Sequence, residues 1–167
     1  MTRAFFDGEV GLTVCGRVFA GFWRGPFTHD RLRALREIST ALHRVATRPL
    51  GMIAVFDSDA IKLATLTDQA LRRDAARLQT EFLALFSGGQ SIVLEGTGFA
   101  VAAMRSTALA VQAISRRSAT HVFHADATGA LAWLKDRMDL TLQECEDISR
   151  AIEQTRVDTR PRPRESA

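Results

Sequence analysis

Apolar positions along this chain recur in two rhythms, every second residue in short runs and every third or fourth in longer ones. Val10, Leu12 and Val14 alternate with Gly11, Thr13 and Cys15, and Val18, Ala20 and Phe22 carry the alternation past Gly16. A period of two predicts antiparallel strands over Glu9–Cys15 and Arg17–Arg24, turning at Cys15-Gly16. Asp7-Gly8 is a competing turn, which would add a short strand at Ala4–Phe6. Gly25-Pro26 ends the hairpin.

The rhythm then changes. Leu32, Leu35, Ile38, Leu42 and Val45 form a helical stripe to about Ala46. Thr28 is its N-cap and Asp30 lies in the first turn, where a helix favours negative charge. Arg48-Pro49 stops it. Leu50–Phe56 is apolar throughout and too short for a helix, hence a buried strand, closed by Asp57-Ser58-Asp59. A mixed stretch, Ala60–Leu66, leads to a second helix with Thr67 as N-cap candidate and Asp68 behind it. Its stripe is Leu71, Ala75, Leu78, Phe82 and Leu85, and Ser87-Gly88-Gly89 ends it.

The central stretch reads as a strand (Ser91–Glu95), a Gly96-Thr97-Gly98 turn, an Ala-rich helix (Phe99–Arg116) and a second strand (Thr120–His124). One helix-sized segment between two apolar runs is the pattern of a buried parallel strand–helix–strand unit. Asp126 or Thr128 caps a closing helix through Leu131, Trp133 and Leu134. A last helix starts at Thr141, where Glu144 completes a capping box, and carries the stripe Leu142, Cys145, Ile148, Ile152. From Arg156 onward the composition turns to Arg, Pro, Asp, Glu and Ser. The expectation is one α/β domain over residues 1–155 and a disordered tail over 156–167. Its sheet is mostly parallel, of four to five strands, opened by the hairpin, with helices packed on it and an extra C-terminal helix.

The 167 residues are 46% hydrophobic and 25% charged, ordinary for a globular domain with a proper core. No apolar run approaches the roughly 18 residues of a membrane-spanning helix. Met1–Phe6 shows no export signal, so the cytoplasm is the expected compartment. Cys15 and Cys145 stand far apart in apolar-patterned segments and read as buried free thiols. The net charge is +3, and the basic residues are nearly all Arg, alternating with acids along helices. A nucleic-acid footprint would instead cluster them with aromatics, so nucleic acid is not an expected partner.

The element order and segment lengths over Glu9–Leu134 resemble the STAS, or SpoIIAA-like anti-sigma-factor-antagonist, group of bacterial domains. The resemblance rests on Gly25-Pro26-Phe27-Thr28 entering the first helix, Glu95-Gly96-Thr97-Gly98-Phe99 entering an Ala-rich helix, and Val122-Phe123 followed by Ala130–Leu134. It implies a non-enzymatic regulatory domain that binds a protein partner or itself. In anti-sigma antagonists of that group a Ser at a helix start after the third strand is phosphorylated. The matching position here is Ser58, which a phosphate would give about −2 charge. This chain has Asp57-Ser58-Asp59 in place of the group's Asp-Ser-Ser-Gly and interposes Asp59–Leu66 before the helix. A plain turn is the competing reading of Ser58.

Four other features bear on chemistry. Gly96-x-Gly98 between strand and helix suits a phosphate, but Val101 stands where a dinucleotide fingerprint has its third glycine, and a tight turn accounts for it equally. Glu95, at the end of a buried strand, points to the crevice where open α/β sheets bind ligands; an ion pair with Arg105 or Arg117 is the plainer reading. Alternation sends His121 and His124 to opposite faces, so they share no metal, and His29 and His43 show no metal-binding spacing. No Gly-x-Ser-x-Gly elbow occurs. The sequence therefore implies no catalytic residue, metal or cofactor. The alternative to the interaction domain is a small-ligand or nucleotide module using Glu95, Gly96 and Gly98. The first predicts an exposed apolar patch, the second a convergence of Glu95 with groups around Asp57 or His124. The last helix serves either as a lid on the sheet or as an interface.

Overall fold

In the computed structural model, which describes residues 2–57, 68–96, 102 and 120–159, both N-terminal turns form. Strand β1 (Thr2–Phe6) pairs antiparallel with β2 (Val10–Cys15), and β2 with β3 (Val18–Trp23). The Asp7 carboxylate accepts the N–H groups of Glu9 at 3.0 Å and Val10 at 2.8 Å, and Gly8 supplies a φ of 88°. Gly16, at φ 57°, does the same for the second turn. The two readings weighed for the hairpin are thus both realised.

Helix α1 (His29–Val45) leads to β4 (Gly51–Asp57), α2 (Gln69–Leu85) to β5 (Gly89–Glu95), and β6 (His121–His124) follows. Strands β3 to β6 are parallel, and the sheet order is simply β1-β2-β3-β4-β5-β6. The α/β class, with a hairpin opening a parallel sheet, stands as expected. There are six described strands rather than four or five because β1 also joins. The crossovers through α1 and α2 each step one strand onward, and crossovers of a single hand that do so must lie on one face. Both do, covering Phe19, Trp23, Met52 and Ala54 with Leu32, Leu35, Leu71, Leu78 and Phe82.

Two more helices cover the opposite face. Helix α3 (Ala127–Met138) is capped by Asp126, whose side chain accepts from the Gly129 N–H. Helix α4 (Leu142–Asp158) starts at the Thr141–Glu144 capping box. Ala130, Leu134, Ile148 and Ile152 meet Phe22, Ile53, Val55 and Val93 there. The sequence expectation for α4 needs two corrections. Leu142 is 70% exposed, and the buried stripe is Ile148, Ala151, Ile152 and Thr155. The helix also runs past residue 155, so Arg156–Asp158 belong to it and not to a tail; residues 160–167 lie outside the described ones. Val45 at the end of α1 is 75% exposed, beyond the reach of the core that its stripe serves. The N-cap of α2 is Asp68, accepting from Ala70 and Leu71 N–H; Thr67 lies outside the described residues. The helix expected over Phe99–Arg116 lies outside them too, apart from Ala102.

Candidate functional site at the carboxyl edge of the parallel strands

Strand alternation puts Ile53, Val55 and Asp57 of β4 on the α3–α4 face, with Ser91, Val93 and Glu95 of β5 beside them. Asp57 and Glu95 are register partners at the carboxyl ends of their strands. Val55 and Val93, the register pair one step back on this face, are buried, whereas Asp57 and Glu95 are half-buried, so the acids mark the place where the core opens to water. An open parallel sheet binds its ligands at this edge.

Two arginines reach the pair from other elements. Arg24, just after β3, donates from Nε to the Asp57 carboxylate at 3.1 Å and from Nη1 to the Thr159 carbonyl at 3.1 Å. Arg156, on α4, donates from Nη2 to Glu95 at 2.5 Å and also pairs with Glu153. Both guanidinium groups lie over the Phe22 ring, 5.6 and 5.5 Å from its centroid. A cation over a buried aromatic face is held in place as well as paired. Beneath the same edge, on the opposite face, Trp23 stacks on Phe56 at 5.0 Å and Phe27 lies against Phe56 at 5.7 Å.

Glu95 is the electrostatically unusual member. Burial pushes its carboxyl up, Arg156 pulls it down, and the charges of Glu153, Asp57 and Asp126 push it up again, leaving it above the ordinary carboxylate range. Four carboxylates and two guanidiniums therefore share one rim. Gly96, directly after Glu95, has a φ of 108°, a conformation open to glycine and strained for other residues.

The histidines diverge, as alternation required. His121 turns to the α1–α2 face, its Nδ1 2.9 Å from Gln79 Nε2, which also donates to the buried Gln90 at 3.2 Å. His124 turns to the other face, its ring 5.9 Å from that of Trp133. Burial lowers the pKa of both, opposed at His124 by Asp126. The Nε2 atoms of both are buried, and among the described residues neither has a hydrogen-bond partner. His29 binds Asp74 at 2.8 Å in an exposed contact joining α1 to α2. Cys15 and Cys145 are free thiols, pushed up by burial. Among the described residues no three His, Cys, Asp or Glu side chains are grouped to hold a metal ion.

Of the residues singled out in the sequence, the structure brings Glu95 and Gly96 to this rim, beside Asp57. Ser58 and Gly98 lie outside the described residues, as do Arg105 and Arg117; among the described residues Glu95 pairs with Arg156. Sequence reading missed Arg24, Glu153 and Arg156. The spacing Ile148, Ile152, Arg156 at steps of four carried a signal that the helix continues. Among the described residues the exposed large apolar side chains are Phe6, Val45, Leu83, Leu142 and Val157, spread over β1, α1, α2 and α4. No helix among the described residues is long and apolar enough to cross a membrane. Comparison with protein-family models, with curated proteins and with solved structures gives no match.

Proposed function

We propose that this chain is a non-enzymatic recognition domain, STAS-like in build, whose partner surface is the carboxyl edge of its parallel strands. The observation that carries this reading is the rim itself: Asp57 and Glu95 side by side, each fixed by an arginine anchored elsewhere in the fold. The exposed apolar patch expected of an interaction domain is not gathered among the described residues, whose exposed large apolar side chains are scattered. This reading therefore rests on charges held in advance, which give a partner its register and exclude wrong ones. The sequential ladder from β3 to β6 keeps the element order on which the resemblance rests. Ser58 follows Asp57 directly, so a phosphate there would add its charge beside this rim. The partner is a protein, or a second copy of the chain.

A second reading has its own support, because the meeting of Glu95 with Asp57 is the convergence expected of a ligand module. The raised carboxyl of Glu95 and the backbone opening at Gly96 suit a small polar ligand at the same edge. Native mass spectrometry of the protein from its own host, beside recombinant protein, separates the two. A protein mass, with amide-exchange protection over residues 54–57 and 92–96, supports the interaction reading. A small bound mass lost in Gly96→Val replaces it by the ligand reading. Protection confined to the outer faces of α1 and α2 overturns both.

A further inference from the structure

The two helices of the second layer run in opposite directions. Asp126 caps α3 just past the carboxyl end of β6, and Met138 at its other end lies over Gly51 at the start of β4. Helix α4 runs back and delivers Arg156 to Glu95 at the carboxyl edge. Between the helices lies an open groove of about 260 Å³, lined by Lys135, Leu131 and Thr128 of α3 and by Cys145, Ser149 and Glu153 of α4. Asp139–Thr141 joins the two helices, so positions equally far from that turn lie level. Lys135 and Cys145 share the end of the groove nearest the turn, Leu131 and Ser149 its middle, and Thr128 and Glu153 the end at the carboxyl edge. The groove is therefore basic at one end, acidic at the other and apolar between.

We infer that a second copy of this chain covers this layer, related to the first by a two-fold axis passing beside Ser149. The charge order selects the arrangement. Two copies laid side by side in the same direction would set Lys135 against Lys135 and Glu153 against Glu153. A two-fold across the middle of the groove reverses one copy end for end, and each Lys135 then stands level with the second copy's Glu153. An isologous contact forms every such pair twice.

The exposed apolar side chains of α4 give the same axis independently. Leu142 and Val157 are both exposed, at the two ends of the helix. They are fifteen positions apart, which sets them about 60° from each other around the helix, on one side of it. Their midpoint falls beside Ser149, where the groove has its own middle. The axis that matches the charges thus also lays each Leu142 against the second copy's Val157, and the small Ser149 lets the helices approach there. Glu146 comes level with the second copy's Glu153 as well. Lys135 then serves two carboxylates, which makes it the charge on which the contact depends most.

The area sets the strength. Helix α4 is about 25 Å long and two helices side by side are about 20 Å wide, so each copy contributes about 500 Å². That is the low end for specific interfaces and implies a dimer with a micromolar dissociation constant. The contact does not rest on the rim reading, with which it shares only Glu153.

Sedimentation velocity of the intact chain at low salt, from about 1 to 300 µM, is expected to show a monomer–dimer equilibrium within that range. Lys135→Glu and Glu153→Lys, each alone, should weaken it at least about tenfold, since each sets like charges face to face twice. An equimolar mixture of the two variants should dimerise again at close to wild-type strength, because the opposed ends then match. A variant that had failed to fold could not be rescued in this way. Ser149→Trp, an exposed change on the axis, should abolish the dimer. In the dimer, amide exchange should slow over residues 127–135 and 142–157. A chain still monomeric at about 300 µM overturns the proposal. So does a dimer indifferent to Lys135→Glu and to Ser149→Trp. Weakening in the single variants with no recovery in the mixture overturns the two-fold arrangement. Slowing at residues 92–96 in place of the two helices would put the second copy on the rim, and overturns this face.

Discussion

Arg156 and Glu95 meet at 2.5 Å although 61 positions separate them, which ties the last turns of α4 to the end of β5. The two side chains are 24% and 27% exposed, so the pair is only partly screened by water. Arg156 is also what keeps Glu95 from rising further among Glu153, Asp57 and Asp126.

Replacing Arg156 by Leu is therefore expected to cost about 1–3 kcal/mol at pH 7, from the loss of the charged hydrogen bond it gives the partly buried carboxylate. Glu95→Gln should cost less than about 1 kcal/mol, because it removes a charge the site disfavours. The sign with pH follows from the raised carboxyl. Its contribution is full below the ordinary value of 4.5 and is lost as pH rises through the higher folded value. Urea melts at pH 4.5 and 7 should thus show a smaller Arg156→Leu penalty at the lower pH. An equal penalty at both would mean that the acidic neighbours do not act on Glu95.

The Arg31 side chain, 11% exposed, staples the first turn to the start of α1. It donates to Asp7 at 2.6 Å, Glu9 at 2.7 Å and the Pro26 carbonyl at 2.6 Å. Burial alone would raise the Asp7 carboxyl; the Arg31 hydrogen bond and the N–H groups of Glu9 and Val10 outweigh it and bring it below its ordinary 3.8. Such a carboxylate contributes stability above its unfolded pKa that disappears as pH falls through the folded one. Asp7→Asn is expected to lose about 1–2 kcal/mol at pH 6. The two proteins should converge in thermal melts between pH 4 and 2, and a gap that stays constant there would refute the assignment.

Much of this fold is written in local pattern. Thr28 and Thr141 with Glu144 cap the helices they were expected to cap, and of Asp126 and Thr128 it is Asp126 that caps α3, because a cap is satisfied within three residues of itself. Other features are not local. β1 is largely exposed, so nothing in its composition alternates, and only its pairing with β2 marks it as a strand. Thr155 and Thr159 hide the end of α4, since a buried threonine reads as polar while its hydroxyl is satisfied by a carbonyl one turn back, at 2.8 and 2.9 Å. The candidate site divides along the same line. Glu95 is legible as an acid closing an apolar strand, whereas its arginine is not, because α4 must first fold back over β2 and β3 to deliver it.

His121 and His124 are both held neutral by burial. A histidine lowered in the fold contributes stability present above its ordinary 6.5 and lost as pH falls through the folded value. Acidification from pH 7.5 to 5 should therefore destabilise the protein, while Glu95 acts in the opposite direction. His124→Phe is expected to flatten the pH slope of the melting temperature. Imidazole proton resonances of both histidines should titrate below 6.5; a value above it at either position would contradict the burial seen here.

At Gly11 the end of α4 lies close against the sheet. A β-carbon at this position would stand 2.1 Å from the Thr155 methyl and 3.4 Å from the Phe6 ring. Thr155 has little freedom to yield, being buried with its hydroxyl bonded to the Ala151 carbonyl. Gly11→Ala must therefore lift the end of α4, at an expected cost of about 1–3 kcal/mol, as overpacking usually does. Thr155→Ser deletes the obstructing methyl and keeps the hydroxyl. Combined with Gly11→Ala it should recover most of the loss, so the two changes are expected to be strongly non-additive. Denaturant unfolding of both single variants and the double gives that coupling directly. Because α4 also delivers Arg156, the lifted helix should loosen the rim. In Gly11→Ala, amide exchange is expected to quicken at residues 92–96 and to slow again in the double variant. Additive losses, with exchange at the rim unchanged, would show that the contact of Gly11 with Thr155 does not set the seat of α4.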